Sequence, residues 1–480
     1  FILALIIILL AILATKGIET NKFNKLISDK ASQTKNIILK LETIKFKIDP
    51  KELSLFLETE NPKISYRNIV IPAKNIKVYI DFKSLLISEP KIKKTNIILE
   101  ELDITQLNKL SLIIKPSNFR SIINNKIKKG KVVSEIDIYL KDDGSIKDFI
   151  AKGSVKNLKV NLFEGLNLTK TKLSFFADKN DILIKNIFGI LEDFQISDGD
   201  IKLNLENGVK LNSNFNSKIN LNKNLLSKYI KFFNKNDLAK SINTFKADLN
   251  NNIYIELDKT YKIKKYNYDV SGIINDSNLI FSHPFKTPLT PKKIKEVYFS
   301  NFKIKTNFSP KKIKFTGDGK YSFNNLDFFK INLDNEIKKN LLSLKVDFDY
   351  GNTILFDLIN YKKSNKSIAN VFLDLEKNKD KLKIKNLNIV DEKKLIKISG
   401  LKIENDKFLS FKKITVATGN NDFVISNNRI ILIKGKKFDA TNLPKFLNDR
   451  NKENLLIKIN SNIEIDFKNI LAPMSENLQN

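Results

Sequence analysis

One histidine, no cysteine and one methionine in 480 residues leave few side chains that could do chemistry. His283, in Ser282-His283-Pro284-Phe285, is the sole imidazole. A general base needs a proton donor within reach and a group that orients it. No partner motif accompanies His283, so it reads as an ordinary loop residue. Zero cysteine excludes a disulfide scaffold, a zinc finger, an iron–sulfur centre and a thiol nucleophile. The acidic pairs Glu100-Glu101 and Asp142-Asp143 fall in turns or on wet edges, with nothing to make two carboxylates converge as glycosidases require. Asp198-Gly199-Asp200 is too short for a calcium loop. Neither glycine-rich phosphate motif is present, and Gly317-Asp318-Gly319 reads as a turn. No catalytic residue, cofactor site or metal site is expected, and the chain reads as a non-enzyme.

The elements carrying these residues are short strands. Ile136-Asp-Ile138-Tyr-Leu140, Leu342-Ser-Leu344-Lys-Val346-Asp-Phe348, Leu382-Lys-Ile384, Ile396-Lys-Ile398 and Ile414-Thr-Val416 alternate apolar and polar residues with period two. Ile201-Lys-Leu203-Asn-Leu205 runs into Asn207-Gly208 and then Val209-Lys-Leu211, where a type I′ hairpin turn is expected. Gly130, Gly153, Gly199, Gly272 and Gly400 each read as opening a new strand. Helices are expected over 119–127, over 224–233, from an Asn236-Asp237 cap through Leu238 to Ile242, and over 440–448. Pro284, Pro288 and Pro291 mark a second break in the strand array.

Alternation implies a sheet with one dry face and one wet face, and short turns imply antiparallel neighbours. A second sheet, the same sheet curled on itself, or a bound apolar ligand would have to cover the dry face. A packed sandwich core is one outcome. The other is a long groove left open for acyl chains, with Ile201, Leu203, Leu205, Leu342, Leu344, Val346, Phe348, Ile396 and Ile398 as its candidate lining.

The chain opens with fourteen uncharged, non-polar residues, Phe1 to Ala14, before Thr15 and Lys16. This run falls short of the ~20 residues of a spanning helix and lacks an initiator Met, so it reads as part of a membrane anchor entered midway. A signal-peptide core is the competing reading, although Ala11 and Ala14 do not form its cleavage pattern. The net charge is +31, yet only Arg67, Arg120, Arg429 and Arg450 are arginines. Lysine is spread along the chain instead of clustered. Nucleic acid is therefore not an expected partner, and a cationic surface beside anionic lipid fits at least as well. The expected organisation is an anchor over 1–15, a juxtamembrane segment over 16–35, a first β-groove region over 36–222, a helical interruption over 223–248 and a second β-groove region over 249–480.

Three stretches resemble the AsmA-like family, with its YhdP- and TamB-type members. Val78-Tyr-Ile-Asp81-Phe-Lys-Ser84-Leu85-Leu86, then Pro90-Lys-Ile92 and Ile97-Ile98-Leu99-Glu100, is similar to the segment that follows its membrane helix. Ile182-Leu-Ile184-Lys-Asn-Ile187-Phe-Gly189, Phe194 and Gly199-Asp-Ile201 resemble its recurrent strand–Gly–strand element. Gly435-Lys-Lys-Phe438-Asp439-Ala440 resembles a step leading into a short helix. The resemblance spans much of residues 36–449 and lacks the family's C-terminal portion. It implies a mostly β protein: a long curled antiparallel sheet, or β-groove, with a few short helices, preceded by a transmembrane helix. It also implies a single-pass bacterial inner-membrane protein with its bulk in the periplasm. Its implied role is moving phospholipids between inner and outer membrane, for outer-membrane biogenesis. The alternatives are an envelope assembly factor that meets outer-membrane or secreted proteins, and a non-transporting structural envelope protein. No cofactor is implied.

Overall fold

A computed structural model describes residues 2–20, 37–50, 54–66, 68–81, 91–112, 121, 124–143, 145–163, 166–230, 240–260, 262–285, 293–405, 407–428, 430–444 and 462–472. The described chain is mostly β, with thirty strands and a few short helices. Nearly all strand pairs whose register is defined are antiparallel. Two compact units divide it: residues 1–217 with 252–266, and residues 218–251 with 267–480.

The first unit starts with an apolar helix, Ile2–Thr15. At 1.5 Å per residue its fourteen residues span about 21 Å, short of the ~30 Å hydrocarbon core of a bilayer. Among the described residues no helix is long and apolar enough to cross a membrane, so the transmembrane helix expected from the sequence is not met at full length. Every described side chain from Leu3 to Ile12 is exposed, and Leu13 is buried. Gly17, at φ 75°, ends the helix, its N–H donating to the Ile12 carbonyl at 2.8 Å. Strand Ile18–Thr20 follows at once and pairs with Ile44–Asp49. From there Ser54–Glu60, Ile69–Ile80, Ile92–Leu99, Ile127–Leu140, Ile146–Phe163, Leu166–Ala177, Asp181–Leu191 and Phe194–Asn204 each pair antiparallel with the one before.

Four of these strands carry a bulge at corresponding heights. Asn157, Lys170, Asn186 and Asp198 all take φ between 51° and 55°, each where the register of its ladder shifts. A residue in the left-handed region leaves the ladder by one step and bends the strand. Asn and Asp tolerate that conformation best, and three of the four positions use them.

The second unit repeats the ladder without that line of bulges. Ile263–Phe285, Ile294–Ser309, Lys312–Ser322, Phe329–Lys338 and Leu341–Tyr350 pair in sequence. After residues 351–368, the strands Ala369–Asn378, Lys381–Asp391, Lys394–Glu404, Lys413–Ala417, Asp422–Asn427 and Ile431–Asp439 continue it. The last strand, Ile463–Leu471, pairs parallel with Ile431–Asp439.

Several local expectations are corrected. The five glycines expected to open strands lie inside them, at points of close approach. An added Cβ on Gly153 would come 2.1 Å from the Val133 carbonyl, and one on Gly199 would come 2.8 Å from the Ile187 Cβ. Gly317-Asp318-Gly319 is also strand, not turn. At Asn207-Gly208 only Gly208 takes positive φ, 97°, so the connection is not type I′. A helix does form over Lys223–Ile230, but strand Ile242–Leu257 starts well before 249, so the helical interruption is shorter than expected. The Asn236-Asp237 cap and Leu238 lie outside the described residues, as do 445–448; of 440–444, residues 443–444 are helical. Of 119–127, residues 124–126 are helical and Ile127 already begins a strand. Helix Ile104–Ser111 was not foreseen, although Asp103 and Gln106 form a reciprocal capping box at its start, both bonds 2.9 Å.

Candidate functional site

Residues directly opposite in a ladder share a face of the sheet. In the second unit this brings one apolar residue per strand into a continuous row. From Ile304 it runs through Gly317, Leu333 and Val346 to Leu373. It continues through Leu387, Ile398, Ile414, Ile425 and Ile433 to Ile465. Eleven strands at ~4.8 Å spacing make the row about 48 Å long. From Leu333 to Ile433 every member is half-buried. One step along the strands toward Leu342 lies a second row, Phe315, Asn335, Leu344, Leu375, Ile384 and Leu401. Asn335 interrupts it: its carboxamide oxygen is buried with no hydrogen-bond partner among the described residues.

The opposite step leads to a covered row. Phe348, Val371, Ile389, Ile396, Val416 and Phe423 are directly paired in sequence. Val371, Ile389, Ile396, Val416 and Phe423 are buried in one cluster with Ile354 and Tyr361 from residues 351–368. That stretch forms a short hairpin, Ile354–Phe356 with Tyr361–Lys363, around a tight turn. The face of the sheet is thus roofed along one margin and half-open beside it.

Buried polar groups fix the roof. Lys363, 1% exposed, donates to the carbonyls of Gly351 (3.3 Å), Asn352 (3.1 Å), Ser364 (2.9 Å) and Ser367. Burial pushes its ammonium below the usual lysine range, and the nearby Asp391 charge works against that shift. Asp391 accepts from Tyr361 Oη (3.0 Å), Ser367 Oγ (3.0 Å) and Lys394 Nζ (3.3 Å). Asp439 accepts from Asn360 (3.0 Å) and from the Thr441 N–H (3.2 Å), while Asn421 donates to the Ile359 carbonyl at 2.8 Å.

The first unit has its own row. Ile44, Thr59, Ile76, Ile97 and Ile136 are successive partners, followed by Ala151, Ala177, Ile182 and Leu203. Gly153, Phe175, Ile184 and Ile201 make a shorter row beside it. The polar face of this unit carries Lys45, Glu58, Lys77, Asn96 and Asp137 in register. Lys47 Nζ meets Glu58 at 2.6 Å, and Lys94 Nζ lies 5.1 Å from the centre of the Tyr79 ring.

The nine candidates from the sequence therefore separate. Ile201 and Leu203 line the first unit's face, while Leu205 lies beyond its strand and is 39% exposed. Leu344, Val346 and Ile398 line the half-open part of the second unit's face, with Leu342 at its far margin. Ile396, at 7% exposure, is enclosed beneath the roof, and Phe348 packs against the same cluster. The sequence signal gave the face of each residue but nothing about what covers it.

A depression of about 570 Å³ lies on the other side of this sheet. The backbone of Gly272, Ile304, Gly317, Leu333 and Val346 forms its floor, and residues flanking them on the opposite face form its walls, including Lys303, Lys305, Asp318, Asp334, Lys345 and Asp347. Ile273 and Phe372 also line it, so its walls mix apolar with charged side chains. His283 is not in a loop; it sits exposed at the end of strand Ile263–Phe285, its Nδ1 3.2 Å from Ser282 Oγ. The described residues contain no group of three or more His, Cys, Asp or Glu side chains suited to a metal ion.

No protein-family profile matches the chain, and no curated protein or solved structure matches it.

Proposed function

We propose that this protein is a membrane-anchored lipid conduit whose apolar sheet faces hold the acyl chains of phospholipids. The carrying observation is the second unit's row from Leu333 to Ile433, apolar on every strand and half-buried throughout. This row crosses eight strands, about 34 Å, and the shorter second row lies beside it; so extended an apolar face calls for an occupant. The helix Ile2–Thr15, apolar up to Ala14 and exposed from Leu3 to Ile12, supports attachment to a bilayer as part of an anchor. The resemblance to AsmA-like proteins supports a bacterial inner-membrane location, a periplasmic sheet that curls around its lipid, and transport toward the outer membrane. Buried CH₂ groups gain ~0.8 kcal/mol each on such a face, the same order as in a bilayer, so movement along a row would be close to isoenergetic.

The test is native mass spectrometry with lipid extraction on protein purified from a bacterial envelope. Several phospholipids per chain are expected; a lipid-free, monodisperse chain would overturn the reading. A second reading, an envelope assembly factor that pairs its sheet edge with a client strand, is favoured by Ile463–Leu471. Among the described residues this strand has one partner strand, and Ile463, Ile465, Ile470 and Leu471 are exposed. Crosslinks from this strand to an outer-membrane barrel, with no lipid bound, would favour it.

A further inference from the structure

We propose that residues 351–368 are a fixed wall along the second unit's apolar face. Acyl chains then lie beside it, across the strands, along Val346, Leu373, Leu387 and Ile398. This rests on the lipid reading above and adds where, and in which direction, a chain is held.

The stretch leaves strand Leu341–Tyr350 at its end and returns into Ala369–Asn378, its immediate neighbour. A tight turn would suffice for that connection. Instead it runs along one margin of the sheet and makes contacts over several strands. Tyr361 and Ser367 reach Asp391, at the end of Lys381–Asp391. The Ile359 carbonyl reaches Asn421, and Asn360 reaches Asp439, at the end of Ile431–Asp439. The contacts cross six strands, about 25 Å at the usual spacing. Its direction is that of the rows, not of the strands.

Its packing is that of a wall and not of a lid. Ile354 is fully buried, Tyr361 is 5% exposed, and the row beneath them is shut off from solvent. The Lys363 ammonium finds four carbonyl acceptors, and the carboxylates of Asp391 and Asp439 are hydrogen-bonded. Lys363 thereby ties the stretch to itself, and opening would take Tyr361 and Ser367 from the Asp391 carboxylate and Asn360 from the Asp439 carboxylate. Beyond the two half-open rows lies a third, Ile313, Ile337, Leu342, Lys377, Leu382 and Ile403, apolar except at the exposed Lys377. The rows run unbroken only across the strands. A chain laid along strand Leu341–Tyr350 would run under the wall at Phe348.

The full chain is loaded with a palmitic acid analogue carrying a mid-chain diazirine, irradiated and mapped by peptide mass spectrometry. Label is expected on Val346, Leu373, Leu387 and Ile398, with none on Val371, Ile389 or Ile396. Label on those covered residues in the unaltered protein overturns the wall. Label confined to Leu342, Leu344 and Val346 of one strand overturns the crosswise direction. No label on either unit's apolar face overturns the lipid reading itself. In Lys363→Met, label is expected to spread to Val371 and Ile389. Should that variant fail to fold, Tyr361→Phe removes the single bond to Asp391 and is expected to give the same spread. Unchanged labelling in a folded variant overturns the role given to these contacts.

Discussion

The Phe302 ring lies over Gly317 on the neighbouring strand, so close that a Cβ there would come within 2.2 Å of it. Phe302 is 4% exposed and meets Phe299 edge-on at 5.4 Å between ring centres, so it cannot swing aside. The glycine leaves the gap that the ring fills. Gly317→Ala should destabilise the second unit by about 1–3 kcal/mol, as overpacking does. Urea denaturation would read this, and a cycle with Phe302→Leu should show a coupling of opposite sign, since a smaller neighbour relieves the clash.

Removing Asp391 should be costly. It is 1% exposed, and it is held by Tyr361, Ser367 and Lys394 while offsetting part of the burial of Lys363. Asp391→Ala leaves three donors and a buried ammonium poorly compensated, with an expected loss of about 3–5 kcal/mol. The urea midpoint of the variant checks this, and an unchanged midpoint would mean that the contacts are not maintained in solution.

The same carboxylates give a pH dependence. Burial pushes the Asp391 carboxyl up, but bonds from Ser367, Tyr361 and Lys394 outweigh it and hold the group below the usual Asp range. Asp439 follows the same pattern, with Thr441 and Asn360 as the leading donors. Both therefore bind fewer protons folded than unfolded in acid. Their stabilisation is complete above the ordinary Asp value of ~3.9 and is lost as pH falls through the depressed folded values. Urea midpoints measured from pH 6 to pH 3 should fall, and Asp439→Asn should flatten part of that slope.

Asn335 offers a change in the other direction. Its buried carboxamide oxygen lacks a partner among the described residues, and its cross-strand neighbours are Phe315 and Leu344. Asn335→Leu removes an unsatisfied acceptor and completes the apolar row, so stability should rise by about 1–2 kcal/mol. Thermal denaturation is the measurement.

A charge in the half-open row should separate binding from folding. Val346 is half-buried between Leu333 and Leu373. Val346→Lys is expected to reduce co-purifying lipid sharply while circular dichroism stays β-rich, because the long stem can carry its ammonium toward solvent. Lipid content equal to the unaltered protein would count against the proposed path.

Much of the fold was legible because period-two alternation is a direct image of a half-buried strand. Leu342 to Phe348, Ile396 to Ile398 and Ile414 to Val416 all lie in strands with their apolar members on one face. Alternation says nothing about register or cover, so Ile396 looked as available as Ile398 although one is enclosed and the other half-open. Residues 351–368 have no periodicity, and Lys363 resembles a surface residue until four carbonyls are found around it. The glycines misled for a related reason. A missing side chain marks a turn or a close approach equally well, and the partner that decides, such as Phe302 for Gly317, comes from another strand.

Each strand gives one residue to each row and leans mainly on its two neighbours, so these units are modular along one dimension. Gain or loss of a hairpin would change a row by about 10 Å and leave the remaining pairs untouched. Residues 351–368 are the exception. They tie Tyr350 to Asp439 across the intervening strands, and an extra hairpin between those points would pull Asn360 away from its carboxylate. Length variation among descendants of this chain should therefore accumulate outside 350–439, with that stretch inherited as a block of constant size.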